Sequence, residues 1–234
     1  MKRLIISLFV YTTVVFATTI NISGDYATIQ EGLNAATAGD TVLVAAGTYA
    51  ENIVWAATNG IKLIGSGEET CFIDGDSLAS VIRFEEDLGG IIDSTTLITG
   101  FTIYNGYAQG DDPFNYGGGM YLFSSSPILT DVTFTGNTSE DDGGGMLVWD
   151  SSPTLTDVTF SSNAANRGGG MYCVNSNPTL TNVTITNNSS SDDGGGIFCV
   201  NSNPTLTDVA IMNNTANADG GGIFSLDSYI TLTN

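Results

Sequence analysis

Hydrophobic and polar residues alternate along most of this chain, and the alternation returns at a fixed interval. In "TLTDVTF", residues 154–160, the apolar positions Leu155, Val158 and Phe160 are separated by polar ones, mostly threonine. Alternation of this kind, with many β-branched residues and no helical period, predicts short β-strands.

Glycine triplets mark the interval, beginning at residues 117, 143, 168, 194 and 220, with spacings of 26, 25, 26 and 26 residues. A unit of this length cannot bury its apolar side alone, but it forms a continuous core when it stacks on similar neighbours. We therefore predict an all-β fold, a parallel β-helix with one coil per repeat, in which equivalent side chains stack at about 4.8 Å. The expected inward columns are Met120, Met146, Met171, Ile197 and Ile223; Leu122, Val148, Cys173, Cys199 and Ser225; Leu129, Leu155, Leu180, Leu206 and Leu232; and Phe134, Phe160, Ile185 and Ile211.

Two polar columns have structural explanations that need no ligand. Aspartate and asparagine tolerate a left-handed backbone and are expected at the turn before the third strand of each coil. Stacked asparagine amides can hydrogen-bond from coil to coil. The turn column is Asp131, Asp157, Asn182, Asp208 and Asn234, and the amide column is Asn137, Asn163, Asn188 and Asn214.

The region before the repeats predicts a short capping helix and less regular coils. In "YATIQEGLNAA" we expect Asp25 as the N-cap, with Ile29, Leu33 and Ala36 on one apolar face. Such a helix would cover the first strand edges. Strands continue to the insertion "YAQGDDPFNY" at 107–116, which replaces four or five residues of the later copies.

The first residues predict export. Lys2 and Arg3 precede an apolar run that ends before Ala17, which is the pattern of a signal peptide cleaved after Ala17. The run falls short of the roughly 20 residues that cross a bilayer, so no transmembrane segment is expected after cleavage. The expected organisation is a signal peptide at 1–17, an N-terminal cap at 18–40, irregular coils at 41–116 and regular repeats at 117–234. Because the last repeat stops halfway round a coil, we expect the natural protein to continue beyond Asn234.

Charge narrows the range of partners. Without the signal peptide, only Lys62, Arg83 and Arg167 oppose 25 acidic residues, so nucleic acid is not an expected partner. A polyanionic glycan such as pectate is disfavoured unless a cation reverses the local sign. The chain has no histidine, which excludes Ser-His-Asp and Cys-His catalysis and histidine metal sites.

Acidic residues at the coil returns are candidate metal ligands. Asp142, Asp193 and Asp219 fall in one column, with Arg167 between Asp142 and Asp193. One interpretation is a calcium site, which would make calcium the cofactor of this protein. A related interpretation is a pair of catalytic carboxylates. The other is a set of solvated turn residues, because carboxylates about 5 Å apart in water repel by only about 1 kcal/mol.

An aromatic column and two stacked cysteines leave further alternatives. Tyr121, Tyr172 and Phe198, with Phe224 and the neighbouring Trp149, alternate away from the methionine column. If exposed, Tyr121, Trp149, Tyr172 and Phe198 are candidate ligand-binding residues; the alternative is a face covered by loops. Cys173 and Cys199 could form a disulfide, but their apolar column favours buried free thiols, and Cys71 has no evident partner.

Two resemblances add to this interpretation. The segment "ATIQEGLNAATAGDTVLVAAGTYAENIVW", followed by "IKLIGSG", resembles the N-terminal cap and first coils of the pectin-lyase-like right-handed β-helix superfamily, which includes pectin methylesterases. The glycine triplets with "FTGN" and "FSSN" are similar to the repeats of chlamydial polymorphic outer-membrane proteins, although later copies have "ITNN" and "IMNN". The first resemblance implies right-handed coiling. It implies no catalytic residue, because the esterases' Asp-Phe-x-Phe-Gly motif is missing.

The sequence therefore favours an exported bacterial protein, secreted or on the cell surface, that acts as an adhesion or recognition scaffold and not as an enzyme. Its expected partners are glycans or host and cell-surface proteins. The alternative is a polysaccharide-binding or polysaccharide-degrading β-helix, of lyase or hydrolase type, that uses the 107–116 loop and neighbouring aspartates.

Overall fold

The computed structural model describes residues 16–85 and 92–234. The expected signal peptide lies outside the described residues, except for Phe16 and Ala17. The described chain winds into a parallel β-solenoid of about eight turns, with three sheets running along its length. Every strand pair in these sheets is parallel, as predicted from the repeat.

The strands are numbered in chain order. The first sheet contains β1 (Thr19–Ile22), β2 (Thr41–Val44), β3 (Gly47–Ala50), β5 (Lys62–Ile64), β6 (Cys71–Asp74), β8 (Leu97–Tyr104), β11 (Ile128–Thr135), β14 (Thr154–Ser161), β17 (Thr179–Thr181), β18 (Thr184–Thr186), β21 (Thr205–Thr207), β22 (Ala210–Met212) and β25 (Thr231–Thr233). The second contains β4 (Ile53–Val54), β7 (Ile82–Phe84), β10 (Met120–Phe123), β13 (Met146–Trp149), β16 (Met171–Val174), β20 (Ile197–Val200) and β24 (Ile223–Leu226). The third contains β9 (Tyr107–Ala108), β12 (Thr138–Ser139), β15 (Ala164–Ala165), β19 (Ser189–Ser190) and β23 (Thr215–Ala216).

The predicted inward columns are confirmed by the strand register. Leu155 pairs with Leu129 on one side and with Leu180 on the other. The rings of Phe134 and Phe160 stack with centroids 5.0 Å apart. Because each apolar residue meets its equivalent one coil away, the interior is a continuous core in which Leu129, Leu155, Leu180 and Leu206 are buried. In the last coil described, Leu232 is exposed, because no further coil covers it there.

The predicted left-handed column is confirmed, and it lies within one long strand in two coils and between two short strands in two others. Asp131, Asp157, Asn182 and Asp208 have φ between 51° and 54°. Strands β11 and β14 run through this position, whereas β17 and β18 are separated by it. The left-handed residue shifts the alternation by one, so Leu155 and Val158, three residues apart, both face inward.

The predicted asparagine ladder is confirmed. The Asn163 side-chain oxygen accepts hydrogen bonds from the Asn137 backbone N–H (3.0 Å) and amide (3.1 Å). Its own amide donates to the Phe134 carbonyl and to Asn188, both at 3.0 Å. The ladder thus satisfies polar groups that would otherwise be buried without partners.

The predicted capping helix is present as α1 (Ile29–Ala35), with Ile29 and Leu33 buried. The expectation of Asp25 as its N-cap is wrong. Thr28 caps the helix, because Glu31 three residues later completes a reciprocal capping box. Asp25 instead accepts a hydrogen bond from the backbone N–H of Asn21 at 2.7 Å. Within the described ranges, no helix has the length and apolar character needed to cross a membrane.

Candidate ligand-binding groove

In the predicted aromatic column, the rings of Tyr172, Phe198 and Phe224 stack, whereas Leu147 separates Tyr121 from Tyr172. The ring centroids of Tyr172 and Phe198 are 5.0 Å apart, and those of Phe198 and Phe224 are 4.8 Å apart. However, the exposure that ligand binding would require is not found at three of the four candidate residues. Tyr121, Tyr172 and Phe198 are 0%, 7% and 3% exposed, whereas Trp149 is half-buried.

Two arginines cover this aromatic column. The Arg83 guanidinium lies 4.3 Å from the Tyr121 ring centre, and Arg167 lies 5.4 Å from that of Tyr172. The 107–116 insertion completes the cover, because Arg83 donates to the Pro113 carbonyl and also stacks on Phe114. The geometry therefore favours the alternative of a covered face, and ligand binding by Tyr121, Trp149, Tyr172 and Phe198 stays a prediction.

The predicted acidic column is divided by an ion pair. Arg167 binds both carboxylate oxygens of Asp142, with N–O distances of 2.9 and 2.8 Å. Burial raises the pKa of Asp142 to about 6 despite this partner. The Asp193 carboxylate accepts from the Asp219 backbone N–H at 2.8 Å. No three acidic or cysteine side chains gather as a metal site in residues 16–85 and 92–234. Calcium at Asp142, Asp193 and Asp219 stays a prediction that this geometry does not favour.

The expectation of buried free thiols is confirmed. Cys173 and Cys199 pair in register on β16 and β20, and both are buried and unbonded, as is Cys71. The contact with Cys199, together with burial, raises the pKa of Cys173 well above its ordinary value.

An open concave surface lies elsewhere on the described chain, on the outer face of the first sheet. Three clefts follow one another along β8 and into β9. The first, of about 550 Å³, includes Thr99 and Gly100; the second, of about 360 Å³, includes Thr102 and Tyr104. The third, of about 260 Å³, continues from Asn105 to Tyr107. We call this row of three clefts the transverse groove, because it runs along a strand and so crosses the solenoid axis.

The wall of the first cleft is the loop from Ser66 to Thr70, which overhangs the sheet. Two threonine hydroxyls fix this loop. Thr133 donates to the Glu68 carboxylate and Thr102 to the Glu68 carbonyl, both at 2.7 Å. Since Thr102 lines the second cleft, Glu68 lies where the first cleft meets the second.

Phe72 and Tyr104 provide the aromatic surface of the second cleft. Their rings meet edge to face with centroids 6.3 Å apart, beside three threonines. The Asp74 carboxylate accepts from the Tyr104 hydroxyl and from the Asn105 amide, each at 2.8 Å. Asp74 thereby fixes a residue of the second cleft and one of the third.

Sequence reasoning missed this groove. The alternation of β8 does indicate that Thr99, Thr102 and Tyr104 point outward. The walls come from loops at 65–70 and 74–77 that belong to no repeat, so no column marks them. A usable signal was the cluster of turn-forming residues in "DGDS", where Asp76 and Ser77 both adopt positive φ.

Comparison with known proteins places the chain in a family. The sequence profile of the family described as "Right handed beta helix region" matches residues 50–234. The chain belongs to this family, and its coiling is right-handed as the first resemblance implied. No curated protein matches it significantly in sequence. The resemblance to the polymorphic outer-membrane proteins stays a prediction.

Two solved structures show the same fold at low identity. Pectin methylesterase from carrot is 12% identical, with a TM-score of 0.51 over 96% of this chain and 83% of that chain. Pectin methylesterase from Aspergillus niger is 14% identical, with a TM-score of 0.50 over 93% of this chain and 84% of that chain. At these identities the similarity supports the fold and not the activity.

Proposed function

We propose that this protein binds a linear glycan chain in the transverse groove, outside the cell. The observation that carries the proposal is the succession of three clefts along β8 and the turn that leads into β9. From Thr99 to Tyr104, β8 spans on the order of 16 Å, and the third cleft continues past the left-handed turn at Asn105. This length suits several consecutive sugar units. An open groove admits an internal segment of a polymer, whereas a closed pocket admits only an end or a small molecule.

The groove offers the contacts that sugars use. Phe72 and Tyr104 present aromatic surface for the apolar faces of pyranose rings. Threonine hydroxyls and the Asn105 amide can exchange hydrogen bonds with sugar hydroxyls. The Asp74 contact holds the Tyr104 ring in place before binding, which reduces the entropy lost on association.

The sequence suggested either an adhesion scaffold or a polysaccharide-binding β-helix. The groove supports the second of these functions. The fold of the two pectin methylesterases is compatible with it. We also propose that segment 1–17 directs export and that the repeats contribute to adhesion, so that the glycan is bound at the cell surface or outside the cell. We assign no catalytic residue.

Tyr104→Ala tests the proposal. A glycan array would identify a bound oligosaccharide, and calorimetry would then give its Kd. We expect about a tenfold weaker Kd for Tyr104→Ala, because a buried aromatic contact contributes on the order of 1 kcal/mol beyond its area. Thr186→Ala is the matched control, since Thr186 occupies the same outward column three coils away.

Absence of glycan binding would contradict the proposal, and so would equal losses in Tyr104→Ala and Thr186→Ala. Reducing-sugar and unsaturated-uronate assays on the bound glycan would show whether binding leads to cleavage. Cleavage would show that the protein is an enzyme that acts on the glycan bound in this groove.

A further inference from the structure

The charged side chains that line the transverse groove all carry the same sign. Glu68, Glu69 and Asp131 line the first cleft, and Asp74 lies between the second and the third. No lysine or arginine of the described residues is among the lining side chains. Because Asp131 comes from β11 and the glutamates come from the overhanging loop, carboxylates flank the first cleft on two sides.

Within the part of the chain that the structure describes, no lysine or arginine forms an ion pair with these carboxylates. The Glu68 carboxylate accepts from a threonine hydroxyl, and that of Asp74 accepts from the Tyr104 hydroxyl, the Asn105 amide and the Asp76 backbone N–H, which are all neutral donors. The two ion pairs found in residues 16–85 and 92–234 are Arg83 with Glu85 and Arg167 with Asp142, and neither involves a groove carboxylate.

Hydrogen bonds also hold Asp74 in its charged form. Burial opposes the ionisation of Asp74, but its three hydrogen bonds outweigh burial and lower its pKa. A sugar carboxylate placed in the groove would therefore face like charges, whereas a sugar ammonium group would face carboxylates whose recorded partners are neutral donors.

If the proposed function holds, these contacts extend it to a class of ligand. We propose that the transverse groove selects glycans whose sugars carry protonated amines, such as polymers of 2-amino-2-deoxy sugars, over uncharged glycans and over polyuronates. The aromatic and threonine contacts recognise the sugar ring, and the carboxylates of Glu69 and Asp131 recognise the ammonium groups. Each ammonium–carboxylate contact at about 4 Å in water improves Kd by about fivefold.

The test compares three oligomers of equal length by calorimetry, at a pH below the pKa of the sugar amine. The oligomers are of glucosamine, of N-acetylglucosamine and of galacturonate, so that the first two differ mainly in charge. We expect the glucosamine oligomer to bind at least about tenfold more tightly than its acetylated counterpart, and the galacturonate oligomer to bind most weakly. The difference should shrink as salt is raised, because screening shortens the range of exposed charges.

Two double variants separate local recognition from net charge. Glu69→Gln with Asp131→Asn removes two groove carboxylates, and we expect it to abolish most of the preference for the amine. Asp150→Asn with Asp208→Asn removes the same charge from exposed left-handed positions outside the groove, and we expect it to keep the preference. Asparagine already occupies equivalent positions of other coils, at Asn175 and Asn182, so these controls are compatible with the fold.

The outcomes distinguish this inference from the proposed function. Binding of the acetylated oligomer that is weakened by Tyr104→Ala, without any preference for the amine, would overturn the charge selectivity alone. Equal loss in both double variants would also overturn it, because net charge would then explain the preference. If none of the three oligomers binds, the selectivity fails, and the groove proposal fails with it only if the glycan array also shows no binding. If Tyr104→Ala has no effect on the binding observed, both proposals fail.

Discussion

Asp142 and Arg167 form a two-point ion pair between adjacent coils, with Nε to Oδ1 at 2.9 Å and Nη2 to Oδ2 at 2.8 Å. The Asp142 side chain is 5% exposed and that of Arg167 is 35% exposed. The guanidinium also lies over the rings of Tyr172 and Phe198. The pair therefore joins the turn before the glycine triplet at Gly143 to the covered aromatic rings.

Removing one partner should cost more than removing both. Arg167→Gln leaves a buried carboxylate without its cation, and we expect it to lower the free energy of unfolding by about 3 kcal/mol at pH 7. Adding Asp142→Asn to Arg167→Gln should restore part of this loss, because the uncompensated charge disappears. Urea denaturation of both variants gives the comparison. A double variant less stable than Arg167→Gln alone would show that the pair stabilises through its hydrogen bonds and not through charge compensation.

The pH dependence of stability should carry the signature of Asp142. Burial raises its pKa in the folded protein to about 6, above the ordinary value of 3.8, so the folded state binds more protons between these values. The resulting contribution to stability is fully present below the unfolded-state pKa and is lost as pH rises through about 6. We expect the free energy of unfolding of wild type, relative to Asp142→Asn, to fall between pH 4 and pH 6. A difference that rises over this interval would mean that Arg167 outweighs burial and lowers the pKa.

The asparagine ladder should be strongly stabilising at its centre. Asn163 is 1% exposed and holds the backbone N–H of Asn137 and the carbonyl of Phe134 through its side chain. Asn163→Ala leaves these buried groups without partners, and we expect a loss of about 3 kcal/mol in the free energy of unfolding. Asn217→Ala is the control, because Asn217 is exposed; it should change stability by less than about 0.5 kcal/mol. Similar effects of the two substitutions would contradict the role of the ladder.

The core could be predicted because its determinants repeat. Leu155 and Phe160 are each preceded and followed by a similar residue one period away, so periodicity alone assigned their direction. The helix cap was also encoded locally, but Asp25 and Thr28 are both good N-cap residues. The position of Glu31 decides between them, since only Thr28 lies three residues before it.

The groove and the covered stack could not be predicted in the same way. Arg83, which covers Tyr121, is 38 positions away in the sequence and has no equivalent in a repeat. Alternation assigned Tyr121 correctly to the outer side of its strand, but it carries no information about what packs there. The loop that bears Glu68 likewise occurs once, and its contact with Thr133 spans 65 positions.

The middle glycines of the first four triplets should be intolerant of any side chain. A Cβ added at Gly144 would lie 2.4 Å from the Ala164 carbonyl oxygen and 2.5 Å from that of Gly169, both of which are backbone atoms. We expect Gly144→Ala to lower the free energy of unfolding by about 3 kcal/mol or more, because the coils must separate to admit the methyl group. Gly136→Ala is the control: φ is +63° there, but nothing lies within 4 Å, so only about 1–2 kcal/mol of backbone strain is expected. Comparable unfolding midpoints for the two variants would contradict the close approach of the coils at Gly144.

The three cysteines should remain reduced and unreactive in the folded protein. Burial raises the pKa of the Cys71 thiol, and the contact between Cys173 and Cys199 together with burial raises that of Cys173. Thiolates are the reactive form, so an aromatic disulfide reagent should modify the native protein at least about tenfold more slowly than the denatured protein. In denaturant without reductant, all three cysteines should react. A count of one reactive thiol under those conditions would instead show a Cys173–Cys199 disulfide, and the substitution Cys199→Ser would then free Cys173 and raise the count to two.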